Sequence, residues 1–333
     1  MAAHEVEMAI TKYDETYAEL EKKGEFNKDV TPYNYDHTIK VDGDYVYINR
    51  KLSFRILSGC IRGLMLGLGP LVNSLLFGCK IVGRENFDAV KETGCFSISN
   101  HVNYLDNLMM RQAIGLRKRY YLTVGDFNSK SGFAGLMLRS GGVLPLPPEN
   151  CLSGMRNLNA AFKELLADKR IIHFYPEQAM WMNFRKPRPF KKGSFHYAVK
   201  FNVPVVPMFF CYSAPTGIRK LFKASYKVTL FVMPALYPDA SLPLKEREND
   251  LHRRAMEMYI RKYREFYKVD DPLIYDIDPS NYATMPVETE LACKVSAETV
   301  GLAFDRERGV YDPKEAQEEP LLQAAAAKDE DRT

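Results

Sequence analysis

The sequence predicts an α/β protein: a single domain built on one mixed sheet, with helices on both faces. Three observations carry this. Between residues 80 and 270, short runs of β-branched and aromatic residues alternate with helical stretches, the order of a layered α/β domain. Phe96 and Ile98 alternate with small polar residues, the period-two signature of a strand. Cys151 to Asp168 carries Leu152, Met155, Leu158, Phe162, Leu165 and Leu166 on the helical period. The chain has 333 residues, 46% of them hydrophobic, which suffices for a large core.

Taken in order, residues 1–49 read as a leader: a helix, then an extended segment turning at Gly43. Residues 50–79 change character. Phe54, Ile56, Leu57, Cys60, Ile61, Leu64, Met65 and Leu68 are apolar, while Lys51, Arg55 and Arg62 fall along one helical stripe. Gly67-Leu-Gly-Pro70 interrupts the pattern, and a second apolar run follows from Leu71 to Cys79. The expectation is an N-terminal amphipathic helical pair lying in a membrane interface, broken at Pro70, with the basic stripe toward lipid headgroups. A buried hairpin inside a soluble domain is the alternative.

Strands are expected from Lys80, at 95–99, at 120–124, at 170–175, at 203–211 and at 226–233. Helices are expected at 105–116, 133–138, 151–168, 194–201 and 251–267. The domain they build spans 80–270. Beyond it, 271–312 reads as a surface extension and 313–333, acidic and alanine-rich, as a disordered tail.

The net charge of +4 says little, but its distribution says more. No Asp or Glu occurs from Gln178 to Pro238, a stretch that holds Arg185, Lys186, Arg188, Lys191, Lys192, Lys200 and further lysines and arginines. Such a field attracts phosphates. The basic residues are interleaved with strand-like hydrophobics, which argues against a nucleic-acid surface. The six cysteines, at 60, 79, 95, 151, 211 and 293, form no Cys-x2-Cys pair and read as reduced thiols rather than metal ligands. The polar, acidic first twenty residues do not read as a secretory signal.

The stretch with chemical content is Phe96-Ser-Ile-Ser-Asn-His-Val-Asn-Tyr-Leu-Asp106. It places His101 just past the carboxyl end of a strand, where open α/β sheets form their ligand crevice, and Asp106 at the start of the next helix. A neutral His101 so placed takes a proton from an attacking hydroxyl, and Asp106 fixes its tautomer and stabilises the imidazolium. The competing reading of His-x4-Asp is a loop histidine beside an ordinary first-turn acid. No Gly-x-Ser-x-Gly elbow occurs, which counts against a serine hydrolase.

Four blocks in order resemble the glycerolipid acyltransferase family, whose best-known members are the lysophosphatidate acyltransferases. Val82-Gly-Arg-Glu-Asn-Phe87 is similar to the strand that leads into the catalytic block, and Asn100-His101-x4-Asp106 to that block itself. Phe174-Tyr-Pro-Glu177 resembles the family's Phe-Pro-Glu-Gly block. Gly193-Ser-Phe-His-Tyr-Ala198 with Val203-Pro-Val-Val-Pro207 resembles the closing helix and strand. The resemblance covers residues 50–240. It implies an O-acyltransferase with His101 as base and Asp106 as its orienter. It implies an acyl thioester donor (acyl-CoA or acyl carrier protein) as co-substrate, no permanently bound cofactor, and a lysophospholipid-like acceptor bound near Asn100 and Glu177. It also implies a peripheral or monotopic enzyme on the cytoplasmic face of a membrane.

The family pattern continues Gly-Thr-Arg after Pro-Glu, where this chain has Gln178-Ala-Met-Trp181. It puts a second arginine where Val143-Leu-Pro-Leu-Pro147 stands here. Arg185, Lys186 and Arg188 are the candidate replacements for these phosphate-gripping arginines; a solvated basic loop against anionic lipid is the alternative. Trp181 reads as an interface anchor, an acyl-channel wall or core; His173 and His196 read as packing residues. A non-catalytic lipid-binding protein that kept the fold is the rival function.

Overall fold

The computed structural model describes residues 13–30, 38–115, 120–125, 129–148, 150–216 and 226–268, with two short strands at Ala303–Asp305 and Val310–Asp312. The expected surface extension and acidic tail lie otherwise outside the described residues.

A seven-stranded sheet forms the centre. Its strands are β1 (Lys80–Val82), β2 (Cys95–Ser99), β3 (Tyr120–Val124), β4 (Val143–Pro145), β5 (Ile171–Phe174), β6 (Val205–Ser213) and β7 (Lys227–Val232), in the spatial order β1-β7-β6-β2-β5-β3-β4. Every pairing is parallel except β6 with β7. The sheet is mixed, as the sequence predicts. β8 (Ala303–Asp305) and β9 (Val310–Asp312) pair with each other.

Alternation along the central strands feeds two cores. Phe96, Ile98, Ile172, Phe174, Val205 and Phe209 pack on one face with α5 (Leu152–Ala167), α6 (Gly193–Phe201) and α7 (Leu244–Tyr267). Cys95, Ile171, Val206, Met208 and Phe210 pack on the other, with Met109, Met110 and Ala113 of α3 (Asp106–Ile114) and Phe87 of a 3-10 turn (Arg84–Val90). Helices therefore cover both faces, the arrangement that lets strands be apolar on both sides. α1 (Asp14–Lys23) and α4 (Gly132–Gly141) are further helices. Gly83, with φ of +79°, turns the chain out of β1; a Cβ there would meet the Val232 carbonyl.

The expected helical pair is instead one helix, α2, running unbroken from Leu52 to Phe77 through Pro70. Proline within a helix removes one backbone bond and costs about 3 kcal/mol, but packing on both sides of the interruption outweighs it here. Ser58 donates to the Ser140 carbonyl, Asn73 donates to Gln112, and Phe77 is buried. Gly69 lets α2 settle against Leu108 of α3, where any Cβ would collide with the leucine. The basic stripe does not all face outward: the Arg62 guanidinium lies over the Tyr121 ring. The opposite side of α2 exposes Leu52, Ile56, Leu64, Leu68, Leu71, Leu75 and Leu76. By length and composition alone this helix is long and apolar enough to cross a membrane. Cys60, Cys79, Cys95, Cys151 and Cys211 are free thiols.

Candidate active site

β2 ends at Ser99, and the next residue is locked in place. The Asn100 side chain is fully buried; it donates to the Phe210 carbonyl and accepts from the Phe210 N–H. This amide clamps the end of β2 to β6 where their ladder stops. Asn100 is thus engaged by backbone rather than directed to a ligand.

His101 follows. Its Nδ1 lies 2.9 Å from Asp106 Oδ2, and the same oxygen accepts the N–H groups of Val102 and Asn103 at 2.9 and 3.1 Å. The backbone winding that starts α3 makes this possible: Asp106 is the helix's first residue, and its N–H bonds back to the Asn103 carbonyl. Burial pushes the Asp106 carboxyl up from its ordinary range, and His101 with the two backbone donors pulls it back down. Nδ1 being taken, Nε2 is the nitrogen left to meet a ligand. The His101 side chain is 15% exposed.

The imidazole is also held from one face. Tyr175, just past β5, stacks on it with centroids 3.8 Å apart and rings 15° from parallel. The Trp181 N–H donates to the His101 carbonyl, the Asn183 N–H and the Tyr212 hydroxyl to the Val102 carbonyl. No sequence signal pointed to Tyr175 beyond its place in the Phe-Tyr-Pro-Glu run. The N–H groups of Val102, Asn103, Leu105 and Asp106 are all spent within the turn, so the start of α3 does not offer them to a developing oxyanion.

Glu177 and Arg188 form one buried pair. The guanidinium makes two hydrogen bonds to Glu177 Oε2, at 2.8 and 3.1 Å, and donates to the Phe26 and Ala179 carbonyls; the Arg188 N–H donates to Oε1. Burial shifts both groups toward neutrality, and their mutual attraction opposes it; the His101 backbone N–H also steadies the ionised Glu177. The three expected basic residues are therefore not one clamp. Arg188 is fully buried against Glu177 and over Trp181, Lys186 bonds Glu21 of α1, and Arg185 lies over the Tyr267 ring.

Trp181 proves to be core. It is fully buried, its ring stacks on Tyr17 of α1, and its indole N–H reaches the Lys28 carbonyl. His173 is a satisfied core residue between the Ser97 and Ser99 hydroxyls, and His196 meets Glu248 at the surface. A cleft of about 1200 Å³ does not include His101; it opens at the opposite end of the sheet.

Residues 79–211 match the family model described as Acyltransferase, a stretch that holds His101, Asp106, Tyr175, Glu177 and Arg188. Human 1-acyl-sn-glycerol-3-phosphate acyltransferase beta is 27% identical over 166 residues, 48% of this chain and 57% of that protein. The chloroplastic 1-acyl-sn-glycerol-3-phosphate acyltransferase BAT2 of Brassica napus is 32% identical over 133 residues, 38% of this chain and 36% of that protein. The chain thus spans about half or less of the curated relatives it matches. Among solved structures, the 1-acyl-sn-glycerophosphate acyltransferase PlsC of Thermotoga maritima aligns with a TM-score of 0.46 and 18% identity, covering 66% of this chain and 84% of that one. The segment built around His101 is thus similar to the glycerolipid acyltransferases.

Proposed function

We propose that the protein moves a fatty acyl group from an acyl thioester to the hydroxyl of a lysophosphatidate-like acceptor, at the cytoplasmic face of a membrane. The observation that supports this best is the His101–Asp106 pair, buried on the Asp side and open at Nε2, inside the segment that matches the family. Both curated relatives are named for acylating 1-acyl-sn-glycerol-3-phosphate.

In this reading His101 Nε2 takes the acceptor's hydroxyl proton as that oxygen attacks the thioester carbonyl. The tetrahedral adduct collapses with cleavage of the carbon–sulfur bond, and the imidazolium returns its proton to the departing thiolate. Asp106 keeps the ring turned and balances its transient charge. Tyr175 restricts the ring's tilt, and Glu177 with Arg188 holds up the backbone of His101 from beneath. Arg185 and Lys186, half-buried on the same loop, are the cations this reading assigns to the acceptor's phosphate.

The exposed leucines of α2 and the neighbouring Phe133 and Leu136 of α4 form an apolar surface suited to lipid. One side of α2 is committed to α3 and α4, so a helix resting on the membrane fits its packing better than one crossing it.

Thiol release from acyl-CoA with a panel of lysolipids tests the proposal. His101→Ala is expected to lower turnover by about 10²–10⁴-fold, and Asp106→Asn by a comparable factor, with the folded state kept. Full turnover in His101→Ala removes the assigned base. Lipid binding without any thiol release by the unaltered protein would favour the lipid-binding reading.

A further inference from the structure

The large cleft lies on the far side of the sheet from His101. Arg170 and Gly142, which line it, immediately precede β5 and β4, whereas Tyr175, stacked on His101, follows β5. Five residues of extended chain separate the two ends, roughly 16 Å. The cleft's walls are rich in arginine. Its carboxylates, Glu164 and Asp168, are committed to Arg50 and Arg170. Arg62 and Arg111 also line it, and among the described residues neither is paired with a carboxylate.

These two are unusual cations. Arg111 is only 4% exposed, donates to the Gly141 carbonyl, and has its Nε buried without a hydrogen-bond partner; the Arg62 Nε is in the same condition. Each guanidinium lies over a tyrosine of β3, Arg62 over Tyr121 at 4.8 Å and Arg111 over Tyr120 at 5.0 Å. Stacking occupies the face of the ion and leaves its N–H edge for an oxygen ligand in the plane. Burial, helped by the charge of Arg62, lowers the Arg111 pKa to about 10. A buried cation without a counter-charge is costly, and two side by side more so. An anion between them relieves both penalties.

We infer that this cleft is a second binding site, separate from the acyl-transfer centre, for a phosphate group gripped by Arg62 and Arg111. Arginine forks match phosphate oxygens in pairs. The group is supplied either by a soluble phosphate ester or by the headgroup of an anionic lipid, since the cleft also takes in the amino-terminal turns of α2.

The test is calorimetric titration of the full chain with two probes: inorganic pyrophosphate, and dihexanoyl phosphatidic acid below its micelle concentration. Binding of both assigns the site to phosphate itself; binding of the lipid alone assigns it to a headgroup. Either way, Arg62→Gln is expected to weaken affinity at least tenfold. Arg111→Lys, which keeps the charge but not the fork, is expected to weaken it too. Thermal melts of each variant check folding; Arg62, being only half-buried, keeps the test valid if Arg111→Lys does not fold. Absence of binding by the unaltered protein, or unchanged affinity in Arg62→Gln, overturns the second site. Turnover in the thiol-release assay is a separate readout, so failure here leaves the acyl-transfer proposal standing.

Discussion

Gln178 sits at φ of +64°, in the left-handed region that favours glycine, at the position where the resembling family carries a glycine after Pro-Glu. Its N–H closes a turn onto the Tyr175 carbonyl, so the backbone of the site fixes this conformation whatever the side chain. A non-glycine residue there costs about 1 kcal/mol, partly offset by its smaller loss of freedom on folding. Gln178→Gly is expected to stabilise the protein by about 0.5–1 kcal/mol, read as a higher urea midpoint at unchanged slope. Asn100 makes the complementary point. From sequence it adjoined the histidine and read as a substrate contact; both ends of its amide are taken by one residue of β6. The His101–Asp106 bond is legible in sequence because it is local, five residues apart. The Asn100–Phe210 bonds are not, because the partner is 110 residues away.

At the scale of elements, the loop from Tyr175 to Lys192 joins three things: the ring that stacks on His101, the buried Glu177–Arg188 pair, and Trp181, on which α1 docks. Removing one charge from that pair leaves the other buried alone. Arg188→Met is expected to cost about 3–5 kcal/mol, and Glu177→Gln added to it to restore much of the loss, because the double change removes the stranded charge. Chemical denaturation of the single and double variants measures this as a coupling energy; additive losses would contradict a buried ion pair. The β/α alternation made the sheet legible, since each strand and helix announces itself by its own periodicity. The docking of Tyr17 and Phe26 around Trp181 was not legible, because aromatic residues in a charged leader carry no mark of a partner some 160 positions on. The continuity of α2 was hidden for a related reason: Pro70 is visible in the sequence, whereas the contacts with Gln112 and Leu108 that outweigh it are not.

For the molecule as a whole, acid acts through two histidines buried neutral, His173 of β5 between the Ser97 and Ser99 hydroxyls and His252 of α7 against Phe195 of α6. Burial holds His173 well below its ordinary value; burial, and then the charge of Lys192, lowers His252 to about 4 against the Phe190 carbonyl's pull upward. Because the unfolded chain binds these protons near pH 6.5 and the folded one does not, stability is complete above that pH and falls as the pH drops toward about 4. His252 alone accounts for about 3 kcal/mol over this window. Denaturant midpoints measured from pH 7 to pH 4 are expected to decline, and His252→Gln to flatten the decline; an equally steep curve in the variant would show that His252 is not the group responsible.

The position of β1 has a consequence for how the chain is made. Its neighbour in the sheet is β7, and Lys80 sits opposite Thr229, about 150 residues later. At ribosomal speeds of about 5–20 residues per second, the first strand waits roughly 7–30 seconds for its mate. For much of that interval the greasy helix just ahead of it has been made while the far half of the sheet has not. A bilayer or a chaperone at the ribosome would shelter it until translation delivers the rest.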